Sequence, residues 1–186
     1  VYKRQHRRLS DERIDCQHSY STALLSSRQL GPLYEGTIQF FEKKMKMRLK
    51  TRPRLKVTDQ RFLLKQFGIS DHTFGLYTDT GEEETVYIIT GIAKDRAWIT
   101  LAHELTHFWQ KRNCPNPQAL VLLEGFAEWT AYKLAEHNAL HRAMLSIRRN
   151  VAEPYHTGLH AFLELEQKIG IQGVIKYART ETGLSQ

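Results

Sequence analysis

Two histidines four positions apart, with a glutamate directly after the first, lie inside an apolar helical pattern at residues 98–109. Few local conformations serve that arrangement. On an α-helix His103 and His107 differ by about 40° in azimuth, so both imidazoles can reach one point in space. Trp98, Leu101, Leu105 and Phe108 gather within roughly 80° of each other on the opposite face. The chain therefore needs a fold that backs this helix with a core and keeps its histidine side open.

The spacing H-E-x-x-H is that of two zinc ligands on one helical face. Glu104, between them, is placed to accept a proton from a water that the metal polarises. A catalytic zinc takes three protein ligands and keeps one position for water. Sixteen residues separate His107 from Glu124, in Leu122-Leu123-Glu124-Gly125-Phe126-Ala127-Glu128-Trp129, far enough for a turn and a return along a second helix. Glu124 is expected as the third ligand. Glu128, one turn on, is expected to accept a hydrogen bond from a ligand histidine. Gly125 lets a neighbouring backbone come close. For the oxyanion formed when water attacks an amide, Tyr155, His156 and His160 are the candidate donors. His137 and His141 form another i,i+4 pair but lack a carboxylate between them, and read as solvated.

With 186 residues, 41% of them hydrophobic, the chain can build one sizeable core, and disordered or repeat architectures are excluded. Two cysteines, Cys16 and Cys114, cannot make a disulfide scaffold or an all-cysteine zinc site. As free thiols they fit a reducing compartment, and the expected location is the cytoplasm. No apolar run approaches a membrane span. The net charge of +7 is unevenly placed: residues 1–56 hold 14 Lys/Arg and 5 Asp/Glu, whereas the other 130 hold 13 and 15.

A polar arm is expected to about Ser27, then a helix over 33–46. Between 44 and 57 basic and apolar residues alternate, and the pattern resolves into a helix end, a turn and a strand near 54–58. Strands over 72–79 and 85–91 flank the acidic turn TGEEE. Asp95 is the expected N-cap of the histidine helix, which should run to about Lys111. Pro117 suits the first turn of the next helix. Helices near 118–137, 139–149, 158–168 and 171–179 follow, punctuated by Gly158, Gly170 and Gly173. Strands first and helices later make this an α+β chain: a small N-terminal sheet, then a mainly helical part carrying the active-site helix.

HELTHFW followed by LLEGFAEW is similar to the gluzincin metallopeptidases. A longer resemblance, over residues 16–180, is to the peptidase domain of the plant LIM-domain, ubiquitin-activated peptidases that limit organ size. It is carried by Cys16 with GPLYEGTIQFFE, Pro53, LAHE-x-x-H-x-W, the Glu124-Gly125 pair and Tyr155 to Gly158. The resemblance implies a zincin-like domain over 28–186 in a minimal, microbial form. It assigns one catalytic zinc to His103, His107 and Glu124, and the role of base to Glu104. Residues 1–27 become an arm with a degenerate zinc segment, because Ser19 and Leu30 stand where that family has cysteines. Without LIM or ubiquitin-interacting segments, ubiquitin activation is not expected. The leading expectation is a zinc endopeptidase acting on peptide or protein substrates. Two alternatives are a nucleic-acid or anionic-surface module using the basic 43–56 segment, and a zinc-bound inactive scaffold.

Overall fold

The computed structural model describes residues 6–8, 14–16, 22–24, 26–69 and 73–184. Ser19 lies outside them, as do the Cys16 side chain and most of the expected arm. Two short strands, β1 (His6–Arg8) and β2 (Ile14–Cys16), pair antiparallel, and β3 (Ala23–Leu24) pairs antiparallel with β7 (Ile92–Ala93).

The first helix, α1 (Ser27–Phe40), begins six residues before the expected start. Ser26 accepts the Gln29 N–H at 3.4 Å and caps it, and Leu30, Leu33, Tyr34, Thr37 and Ile38 bury one face. Leu30 is thus a core residue. A π-helical turn (Phe41–Met45) follows, and Lys46 at φ 58° ends it. The basic alternation is one of burial: Met45, Met47 and Leu49 face the core while Lys46, Arg48 and Lys50 face water. The strand it was expected to reach is β4 (Arg54–Thr58). Helix α2 (Gln60–Phe67), capped by Asp59 and closed by Gly68 at φ 67°, has no counterpart in the sequence reading.

Strands β5 (Gly75–Asp79) and β6 (Glu84–Ile89) flank the acidic turn. The sheet order is β4-β6-β5, with β6 parallel to β4 and antiparallel to β5. Central β6 is buried from Thr85 to Ile89, while β5 is an edge.

Helix α3 (Lys94–Asn113) leaves β7 directly. Its N-cap position is Ala93, not Asp95: the β3–β7 pairing and the Lys94 N–H to Thr22 carbonyl bond already fix the entry, so Asp95 falls in the first turn. The expected single apolar stripe understates α3. Leu101, Leu105 and Phe108 are fully buried, but so are Ala97, Ala102 and Thr106, because α3 is covered by α1, the sheet and α4. Helices α4 (Leu120–His137), α5 (His141–Arg148) and α6 (Tyr155–Thr180) complete the chain. Pro117 lies in the loop ahead of α4. Gly170 breaks the helical geometry within α6 at φ 69° and ψ 172°, where the sequence placed a boundary. Gly158 does not punctuate; it is buried inside α6.

One hydrophobic cluster runs from Leu30 to Ala178. Trp109, Phe126, Trp129 and Phe162 knit α3, α4 and α6 together, with ring centres 5.5–6.4 Å apart. Among the described residues no helix is long and apolar enough to cross a membrane. The whole is a small N-terminal mixed sheet followed by a mainly helical region.

Candidate metal centre

Helix α3 presents His103 and His107 toward α4, which presents Glu124 and, one turn later, Glu128. The two Nε2 atoms are 3.1 Å apart, and Glu124 Oε2 lies 3.2 Å from one and 3.4 Å from the other. Zinc bonds of 2.0–2.1 Å in a tetrahedron place neighbouring ligand atoms ~3.3–3.4 Å apart, so the three atoms outline one face of such a site.

The surrounding hydrogen bonds fix which nitrogens carry protons. Gln110 donates its amide to the Leu123 carbonyl at 2.9 Å, which turns its Oε1 toward His107 Nδ1, also at 2.9 Å. His107 Nδ1 must therefore donate. Glu128 Oε2 stands 3.3 Å from His103 Nδ1 and accepts its proton. Both neutral rings then point Nε2 lone pairs at one spot, beside a Glu124 Oε2 that is buried and receives no hydrogen bond. Three lone pairs so placed repel each other unless a positive charge sits among them, either a metal ion or, in its absence, a proton on His103. Two imidazole nitrogens and a carboxylate are a donor set that suits zinc. His103, His107 and Glu124 thus form a largely buried cluster able to hold a metal ion.

The charges are strongly coupled. Burial pushes His103 down, but the Glu124 and Glu128 carboxylates beside it override that and raise its pKa well above the ordinary imidazole value. Burial likewise opposes the Glu124 charge, and the two histidines overcome it, holding the carboxyl well below the usual range.

Glu104, only 8% exposed, accepts the Tyr77 N–H of β5 at 2.8 Å. Gly75 permits that approach: a Cβ there would lie 2.5 Å from Thr100 Cγ2 and 3.1 Å from Glu104 Cγ. Two arms of one cleft meet at His103 and Glu104, a larger one of about 970 Å³ and a smaller one of about 560 Å³. Gly75 and Tyr155 border both.

Tyr155 opens α6, its ring centre 5.9 Å from that of His103. Burial, together with the charges of Glu124, Glu104 and Glu128, pushes its phenol up to about 12. A close helix crossing puts it there. A Cβ on Gly125 would stand 2.4 Å from Gly158 Cα, so α4 and α6 touch backbone to backbone. His156 and His160 instead pair with each other, ring centres 4.6 Å apart, and neither borders the cleft. His137 and His141 are exposed and away from it.

Gln110 and Arg96 are polar groups of the cleft that the sequence patterns did not single out. Gln110 had a local signal, since it lies three residues after His107 on the same helix. Arg96, in the first turn of α3, had one too: it lies seven residues before His103, on the same face two turns earlier. The basic run is divided. Arg52 pairs with Glu35, and Arg54 and Lys56 pair with Glu83. Lys46, Arg48 and Lys50 meet Lys176 and Arg179 around a shallow groove that contains no exposed aromatic side chain. Comparison with protein-family models, with curated proteins and with solved structures yields no match.

Proposed function

We propose that the chain is a zinc-dependent endopeptidase of the gluzincin type, with residues 28–186 forming one zincin-like catalytic domain. The observation that carries this reading is the His103, His107 and Glu124 triangle beside the buried Glu104 carboxylate. His103, His107 and Glu124 hold the ion in this account. Zinc bound there supplies a Lewis acid that polarises the scissile carbonyl and acidifies water.

Glu104 takes the proton from water and returns it to the leaving amine. Its hydrogen bond from Tyr77 keeps the carboxylate aimed at the edge of β5. Tyr155 donates to the developing oxyanion; with its phenol pushed up to about 12 it keeps that proton at working pH. His156 and His160 gain no support for the same role from where they sit. Strand β5 borders both arms with Gly75, and its outer edge can pair with an extended peptide. A cleft with two arms that share His103 and Glu104 gives room for a substrate bound in mid-chain, which favours endopeptidase action. Cys114, a free thiol, fits a reducing, cytoplasmic setting. Ubiquitin-dependent activation is not part of the proposal. A nucleic-acid role finds little support, because three of the eight cations in 43–56 are paired with carboxylates and the groove offers no stacking surface.

The test is cleavage of an unfolded protein by the zinc-loaded chain and by Glu104→Gln. The variant should keep its zinc and lose activity by at least about 100-fold. Cleavage that survives in Glu104→Gln, or that ignores a chelator, contradicts the mechanism. A zinc-loaded wild type that cleaves nothing would instead support the inactive scaffold.

A further inference from the structure

The larger arm of the cleft contains a guanidinium with donors to spare. Arg96 lines it together with His103, Glu104 and Glu128. The side chain is half-buried, its guanidinium carbon 5.0 Å from the centre of the Phe74 ring, and Nη2 donates to Ser146 Oγ at 2.5 Å. A guanidinium has five N–H donors, and among the described residues Ser146 alone accepts from this one.

Taking a cation this far out of water without a counter-charge is costly. Burial lowers the pKa of Arg96, and the charge of Glu128 offsets only part of that. Among the described residues neither carboxylate of the arm forms an ion pair with it: Glu128 Oε2 faces His103 Nδ1, and Glu104 Oε2 accepts the Tyr77 N–H. Arg149, which is exposed, borders the same arm and adds a second positive charge to a lining that also contains Glu104 and Glu128. A planar fork held by an aromatic ring and a hydroxyl matches a carboxylate in both shape and charge.

We propose that Arg96 anchors a carboxylate of the peptide lying in this arm, so that the site selects acidic substrates. The inference rests on the peptidase reading and adds its substrate class. The carboxylate can be an Asp or Glu side chain or the end of the peptide chain; Arg96 recognises the chemistry they share. An arginine kept only to tie α3 to α5 through Ser146 would give no such selection.

The test uses the full zinc-loaded chain and labelled hexapeptides. Each carries Glu or Gln at one position and ends in a free acid or an amide. Binding is read by fluorescence anisotropy and cleavage by kcat/KM. For the wild type, the acidic peptide should bind on the order of 10- to 100-fold more tightly than its neutral twin. That ratio should fall to near one in Arg96→Met and recover in part in Arg96→Lys, whose melting temperature controls for folding. A Glu effect in amidated peptides identifies a side-chain carboxylate; an effect of the free acid alone identifies the chain end. Equal affinity for acidic and neutral peptides in the wild type, or a preference that survives Arg96→Met, overturns the proposal. Selective binding with no cleavage of any peptide supports the anchor and counts against the hydrolytic reading, so the two failures are distinct.

Discussion

Gln110 settles one proton on which the metal centre depends. Its amide is held by the Leu123 carbonyl, so its oxygen must accept from His107, and His107 must offer Nε2 to the metal. Gln110→Leu should weaken zinc binding by about 10- to 100-fold, as read by chelator competition, without displacing His103 or Glu124. An unchanged affinity would show that His107 needs no such partner. The Cys114 thiol gives a second test at this scale. Burial pushes it up to about 12, partly opposed by Arg179. At pH 8 the reactive thiolate is then rare, and peptide mapping after iodoacetamide treatment should find Cys114 unmodified in the folded protein and modified in denaturant. The cluster of His103, His107 and Glu124 was legible in the sequence because helical geometry fixes His103 against His107 and Glu124 against Glu128 within one turn. Helical geometry likewise puts Arg96 on the His103 face two turns earlier, but the cavity that α5 and β5 close over it has no local trace in the sequence.

At the level of elements, two glycines set how near the site can be built. Gly125 meets Gly158 at the α4–α6 crossing, and Tyr155 enters the cleft one turn before that contact. Gly125→Ala should cost about 1–3 kcal/mol in a denaturant titration and also lower activity in the fraction that stays folded. Activity kept at the wild-type level would show that the position of Tyr155 does not matter. Helices α3 and α4 were readable from their long apolar patterns, and the break at Gly170 from its residue type. Helix α2 was as legible as the others, since Phe62, Leu63 and Phe67 set an apolar face and Asp59 and Gly68 mark its two ends; at eight residues it is short, and only Leu63 of its apolar side chains is buried. The entry of α3 was misread: Asp95 is a good cap chemically, but strand pairing at Ala93 fixes the start first.

Across the whole molecule, zinc should act as a clamp between α3 and α4, two elements otherwise joined by core packing. Removing it should lower the melting temperature, and the size of that drop should depend on pH. Burial disfavours the charged His103, but Glu124 and Glu128 prevail and raise its pKa. Without metal, its stabilising charge is fully present below about pH 6.5, the unfolded value, and is lost as pH rises through the folded one. Zinc requires the neutral ring, so it competes with that proton. The difference in melting temperature between zinc-loaded and chelator-treated protein should therefore widen from pH 6 to pH 8; a constant or shrinking gap would contradict this coupling. The most direct test of the central claim is metal content. Untagged protein, analysed by inductively coupled plasma mass spectrometry, should carry about one zinc per chain. A folded His103→Ala, His107→Ala variant should carry almost none. A folded wild-type chain that takes up no zinc after reconstitution, or a double variant that keeps it, would contradict the account.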